Sequence, residues 1–582
     1  MPSISYTISI KDAHGHALLV EQRMRDMRAG PVELVMPTWA PGSYLIRDYS
    51  RNVVSFEATD PKGRPLKWEK TAKNRWRIEA KGGDAVAKYA VYANELTVRS
   101  SHVDATHAFV TGTSVFMYAD GMRKEPIEVS VKAPKGWHIA TGLEKAREGS
   151  YRAKDYDELI DCPIDIGNFE QASFQVRGVK HNIVICGRAD YDMKRLVADS
   201  KRLVEEVVKV FGDIPYKEYT FFIHFVDAAG GGLEHRNSTA CNIPRYLFHT
   251  KKDYHRVIGL LTHEFFHTWN VKSIMPAAYQ DYDLETETYS KLLWAMEGLT
   301  SYYDIVLPCR AGLYDQKRML EMYANSIKTY LSTPGRAVEN LEDSSFDTWI
   351  KFYKPDENTP NISINYYNKG ELVGLMLDMQ IRASTRNKRS LDNVMRHLWK
   401  EYGTTHRGIR EDEMQEIVEK VTGVEMKSFF DAYIRGTKEI KFDSFLKIAG
   451  LRLKPEKKQD DDEGKGYLGV ETRTTGDRVF AKHVYVDGPA YKSGVYANDE
   501  ILALDGFKVD AEGFKKREKA LVLKKKAKVS LFRRGELMTM EVAPIEAPPE
   551  KYTIEKVKKP MRLQKEIYES WSKRKWKEKK KK

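Results

Sequence analysis

The chain has 582 residues, 41% hydrophobic and 31% charged, and carries a net charge of +13 at pH 7. This length excludes a single core, because hydrophobic cores stop growing at roughly 250–300 residues, and the apolar share excludes a disordered chain. The charge does not identify a nucleic-acid binder: the last twelve residues, WSKRKWKEKKKK, hold eight Lys or Arg against one Glu, so +7 of the excess lies in a terminal tail that is expected to be solvated and frayed.

At the N-terminus, SISYTISI, PVELVMPTWAP, VVSFEATD, WRIEA, AVAKYAVYAN and IEVSVKAP alternate apolar and polar residues between Gly, Pro and Asp turns, which is the period of strands. Residues 1–172 therefore read as a β-sandwich-like domain. The opening strand lacks the basic and apolar regions of a secretory leader, and no run approaches the roughly 18 apolar residues of a membrane span. The four cysteines, Cys162, Cys186, Cys241 and Cys309, give neither a disulfide framework nor a CxxC pair. The expected compartment is cytoplasmic, or periplasmic or secreted if a leader has been removed.

Beyond residue 172 the period lengthens, with Leu203, Val207, Val208 and Phe211 at helical spacing, and then come an apolar strand, YTFFIHFV, and a Gly-rich turn, GGGLEHRNSTACNIP. From about 253 to 440 the pattern is mainly helical, so 173–450 reads as one mainly helical domain. The run KPEKKQDDDEGKG marks a charged linker, assigned to 451–465. Residues 466–545 return to short strands, YLGVETR, VFAKHVYV, EILALDG and KVSLFRRG, and 546–582 form the basic tail. The fold class is multidomain α+β.

Chemistry concentrates in LLTHEFFHTWN. On a helix, residues four apart share a face, so His263 and His267 can turn two imidazoles toward one ion while Glu264 stands beside them as a general base. A catalytic zinc needs a third protein ligand and an open position for water. Glu297 is the candidate, a lone acid among Trp294, Ala295, Met296 and Leu299, where a carboxylate is costly unless it meets a cation. Glu285 and Glu287, in a polar loop, are weaker alternatives. Trp269 and Asn270 are expected to be packing and helix-end residues without chemistry.

HEFFHTWN followed by LWAMEGLTSYY resembles the gluzincin metallopeptidases, whose third ligand is a glutamate on a later helix. GGGLEHRNST is similar to the G-x-M-E-N strand of the aminopeptidase N group, with His235 in place of Asn. NYYNKGELVG resembles the Y-x-K-G segment of those enzymes. Together with PTWAPGSYLIRDYSRNV and a C-terminal module like a PDZ domain, VYVDGPAYKSGVYANDEILALDG, these motifs look like the glycyl aminopeptidase family over residues 1–545. The resemblance implies a thermolysin-like catalytic domain with one Zn2+ per chain on His263, His267 and Glu297, and Glu264 as base. It implies that Glu234, with Gly231, Gly232 and His235, binds the free α-amine of a peptide. It also implies that Tyr367, with Tyr366 as fallback, stabilises the oxyanion, and that small first residues, Gly or Ala, are preferred.

In a PDZ domain the loop at Tyr467, Leu468 and Gly469 would hold a peptide's C-terminal carboxylate on backbone N–H groups; a buttress or self-association surface is the alternative. The expected function is a zinc aminopeptidase acting on peptides with a free N-terminus. A zinc endopeptidase with the same metal site, or a non-catalytic peptide-binding scaffold, remain the rivals.

Overall fold

The structure is a computed structural model, and it describes residues 3–27, 30–80, 84–227, 230–456 and 466–576. The chain is multidomain α+β and divides into two compact units, the first comprising 1–289, 310–314 and 395–410, the second 290–309, 315–394 and 411–582.

The first unit opens with three sheets. A seven-stranded sheet contains Ser3–Asp12, Ala17–Arg25 and Ala85–Tyr92, and a four-stranded sheet contains Gly30–Val35 and Arg75–Ala80. Their inward alternation, Ile4, Tyr6, Ile8, Leu18 and Val20 from one and Leu34, Trp76 and Ile78 from the other, forms one shared core. This is the sandwich that the alternating runs predict. A third sheet pairs His138–Thr141, Ile164–Gly167, His107–Val110 and His102–Val103.

The sheet that positions the site begins at Glu170, just before the boundary expected from the sequence. Its order is Glu170–Val176, Val179–Cys186, Glu218–Val226, Ser238–Pro244 and Gly231–Glu234, and the last is an antiparallel edge strand. The helix Met193–Phe211 is capped by Asp192 and ends at Gly212 in the left-handed conformation, and it buries Leu203, Val204, Val207 and Val208. The helix Lys251–Phe266 starts at Thr250, whose hydroxyl accepts from the Asp253 N–H, and it carries the H-E-x-x-H motif through its last turn.

The second unit begins with the π-helical turn Trp294–Gly298, which runs on as the helix Leu299–Ala311. This segment packs against the helix Tyr366–Ser384 at Gly298 and Gly370. A Cβ added to Gly298 would come 2.5 Å from the Gly370 Cα, so the backbones meet with no side chain between them. Buried polar bonds tie the interior: Tyr302 donates to Asp378 at 2.7 Å, and Arg382 pairs with the same carboxylate at 2.9 Å.

Two expectations about the C-terminal part are corrected. Leu451–Glu456 is a strand rather than linker, because it pairs antiparallel with Lys551–Lys556; the remaining 457–465 of the expected linker lie outside the described residues. The expected tail 546–582 is folded over its described part, 546–576, which includes the first six of the last twelve residues expected to be frayed. After the strand comes the helix Arg562–Ser572, which buries Ile567, Tyr568 and Trp571, and the Trp571 indole N–H donates to Tyr302 at 3.1 Å. Residues 577–582 lie outside the described residues. The module between the paired strands has its own core, Leu468, Val479, Ile501, Leu504, Phe514 and Leu531 among others, under a sheet ordered Val470–Thr475, Arg478–Val484, Glu500–Leu504, Ala527–Arg533 and Glu536–Val542.

Candidate active site

Helical spacing places His263 and His267 one turn apart, their ring centroids separated by 4.7 Å. The Nδ1 of His267 lies 2.7 Å from the carbonyl oxygen of Asn270. A carbonyl only accepts, so Nδ1 carries the proton and Nε2 presents its lone pair, the arrangement a metal-binding imidazole needs. Asn270, expected to be a helix-end residue without chemistry, thus orients the His267 ring through its backbone. Trp269 packs as expected, its ring stacked on Phe211 at 4.7 Å.

Glu297 lies buried within the π-helical turn. One ligand atom from each of Glu234, Glu264 and His267 lies within 4.8 Å of the other two. Two imidazoles and a carboxylate make a donor set suited to zinc. Glu285 is engaged elsewhere, paired with Arg75 at 2.5 Å. Glu287 is absent from every group of potential ligands among the described residues.

The edge strand brings the remaining residues of the first unit to the same place. Glu234 and His235 are buried. Gly232 lies so close to Glu264 that a Cβ there would overlap its carboxylate, and a Cβ on Gly42 (φ +87°) would come 2.5 Å from Glu234 Oε1. Gly42 belongs to the PTWAPG turn, which is docked onto the loop at 283–285 by the Trp39 indole donating to the Asp283 carbonyl at 2.9 Å and by Thr38 donating to Glu285. Sequence reasoning marked that turn but gave it no task; its Trp-Ala-Pro-Gly composition was the only sign of a rigid bend.

A cavity of about 200 Å³ opens here, lined by Trp39, Gly42, Tyr44, Glu234, His235 and Lys272 among others. His235 does not stand alone in it: its Nδ1 lies 3.4 Å from Asp161, which also pairs with Lys272 at 2.5 Å. Burial alone would raise the Asp161 pKa, but Lys272 and His235 hold its carboxyl well below the ordinary range.

Of the two tyrosines at the start of the helix Tyr366–Ser384, Tyr366 is fully buried and its hydroxyl accepts from Thr348 at 3.0 Å, whereas Tyr367 is half-buried and stacks on it at 4.7 Å. Tyr367 is therefore the more exposed of the two. The neighbouring Lys369 ammonium is pulled down to about 8 by burial, with Glu339 opposing.

In the C-terminal module, Gly466–Tyr467 pairs with Ile545–Glu546, Leu468 is buried, and Gly469 takes φ +79°. The Leu468 N–H, expected to face a peptide carboxylate, donates instead to Glu518 Oε1 at 2.8 Å.

The family model of the Peptidase M61 N-terminal domain matches residues 5–168, and that of the M61 glycyl aminopeptidase matches residues 256–373. Among solved structures, an aminopeptidase N family protein from Idiomarina loihiensis is 31% identical, over 98% of this chain and 99% of its own, with a TM-score of 0.91. The M1 zinc metallopeptidase of Deinococcus radiodurans is 12% identical, over 76% of this chain and 95% of its own, with a TM-score of 0.47. A comparison with curated proteins finds no match.

Proposed function

Since the chain belongs to the M61 glycyl aminopeptidase family and is a peptidase, we propose that it releases single N-terminal residues, small ones such as Gly and Ala first, from peptides with a free amine. His263, His267 and Glu297 would hold the zinc, one per chain. Zinc so held supplies Lewis acidity, which makes water a nucleophile near neutral pH and polarises a carbonyl.

The chain's own residues do the rest. Glu264 accepts the proton of the attacking water and returns it to the leaving amine. The Tyr367 hydroxyl, neutral at pH 7, donates to the developing oxyanion. Glu234 pairs with the substrate ammonium, while Gly231 and Gly232 let the edge strand lie against the peptide, and His235 lines the cavity for the first side chain.

The observation that carries this reading is the meeting of Glu234, Glu264 and His267 within 4.8 Å. An anion that close to the base leaves room for only one residue between the bound amine and the bond cut, which makes the enzyme count from the N-terminus. The module with Tyr467, Leu468 and Gly469 we read as a PDZ-type domain. Its edge strand Val470–Thr475 could accept a peptide, and Glu518 would have to yield the Leu468 N–H to the incoming carboxylate.

A panel of aminoacyl chromogenic amides, free and N-acetylated, with and without chelator, tests the proposal. Glu234→Gln should lower kcat/KM on free-amine substrates by about 10–100-fold, the worth of one charge-assisted bond, and spare acetylated ones. Equal cleavage of both classes by the wild type would make the enzyme an endopeptidase. No hydrolysis and no bound zinc would leave a peptide-binding scaffold.

A further inference from the structure

Away from the peptidase motif, four strands of the first unit converge on a buried group of His, Asp and Cys that the proposed reaction does not use. Cys186 and His224 are register partners on the parallel strands Val179–Cys186 and Glu218–Val226. Asp165 comes from Ile164–Gly167, and His107 from the strand paired with it. Asp165 and His224 are 0% exposed and Cys186 5%.

The His224 Nε2 lies 2.9 Å from Asp165 Oδ2, and the Cys186 Sγ lies 3.4 and 3.5 Å from the two Asp165 oxygens. One donor atom of each of these three residues falls within 4.8 Å of the other two. The His107 ring stands beside them, its centroid 5.9 Å from that of His224. Gly167 is packed directly on it, since a Cβ there would come 2.7 Å from the His107 Cβ.

The polar accounting does not close with hydrogen bonds alone. His107 Nδ1 faces Thr106 Oγ1 at 3.3 Å and Asp104 Oδ1 at 3.7 Å, which places its proton on Nδ1 and leaves a lone pair on Nε2. That Nε2 and the Nδ1 of His224 are buried without a hydrogen-bond partner. Burial pushes the Cys186 thiol up, and the Asp165 carboxylate beside it adds to the shift. A carboxyl, a thiol and an imidazole enclosed together are costly unless a cation or a complete set of hydrogen bonds meets them.

We propose that Asp165, Cys186 and His224 bind a second divalent transition metal, of the zinc class, in a buried site that is structural rather than catalytic. A nitrogen, a sulfur and an oxygen match the ligand preference of zinc and of its substitute cobalt(II). All three residues are buried, which leaves a peptide no access to the ion. On binding, the Cys186 S–H bond breaks, its proton leaves to solvent and the thiolate pair forms the bond to the metal. The ion would tie the sheet of 107–110 and 164–167 to the sheet that carries the active site.

The test uses the full chain. Element analysis after dialysis against metal-free buffer should find two zinc per chain, one after Cys186→Ser or His224→Asn, and one after His263→Ala. The cobalt(II)-loaded wild type should show a thiolate-to-cobalt charge-transfer band, which a His-His-Glu site cannot produce, and Cys186→Ser should abolish it while peptidase activity persists. A single zinc lost only with His263→Ala, or a cobalt protein without the thiolate band, overturns the proposal; because the band is read on the wild type, it decides even if the variants fail to fold. A zinc lost with Cys186→Ser but none with His263→Ala would support this site and sink the peptidase reading instead.

Discussion

Glu264 is buried, pressed by Gly232 and within ligand distance of Glu234 and His267, so its carboxylate can have only one task at a time. Glu264→Gln keeps its shape and removes its basicity. The expected result is a fall in kcat of about 10²–10⁴-fold with zinc content unchanged; loss of the zinc along with activity would make Glu264 a ligand rather than the base. His263, Glu264 and His267 were legible because one helical repeat fixes their geometry wherever the helix lies. Glu297 stood out because an acid in an apolar run is costly unless it meets a cation. Gly42 beside Glu234 was not, because their contact joins residues nearly two hundred positions apart and no local pattern encodes it. The Asn270 carbonyl escaped for another reason: a backbone atom has no residue type to read.

At the scale of elements, the strand Val179–Cys186 holds a titratable group with a resolved consequence. His181 is fully buried, its Nδ1 donating to the Val179 carbonyl at 3.0 Å and its Nε2 accepting from Tyr216 at 2.9 Å. Burial depresses its pKa from 6.5 to about 4, with the Val179 bond opposing. The folded state thus prefers the neutral ring. Its contribution is complete above the unfolded value of 6.5 and is lost as pH falls through about 4, a loss on the order of 3 kcal/mol. Urea unfolding at pH 7, 5 and 4 should show this slope, and His181→Phe should flatten it. The helix Arg562–Ser572 makes a different prediction. Trp571 is completely buried and bonded to Tyr302, so Trp571→Ala should cost about 3–5 kcal/mol, read as a lowered Tm. An unchanged Tm would restore the frayed tail. That tail was misread because its lysines dominate the composition, while the apolar spacing of Ile567, Tyr568 and Trp571 pointed to a helix. The strand before it, KYTIEK, pairs with residues about a hundred positions away and gives no local sign of doing so.

For the whole molecule, the expected N-terminal β layer and the mainly helical catalytic region both appear, since each rests on short-range periodicity. The closure of the second unit does not follow from periodicity, because Leu451–Glu456 waits for Lys551–Lys556 and the module 466–546 is strung between them. Removing 547–582 should therefore leave the second unit without a strand and a buried helix. We expect a chain that is insoluble or inactive even though His263, Glu264, His267 and Glu297 are all still present, as solubility and amide hydrolysis would report; full activity would show that the closure is dispensable. The paired strands also impose an order in time. During synthesis the residues proposed to hold the metal leave the ribosome hundreds of residues before the strand and helix that complete the second unit, so a nascent chain carries the proposed chemistry without a finished scaffold. Late closure would then delay proteolytic activity until translation is nearly over, a safeguard for a peptidase made among other unfinished chains.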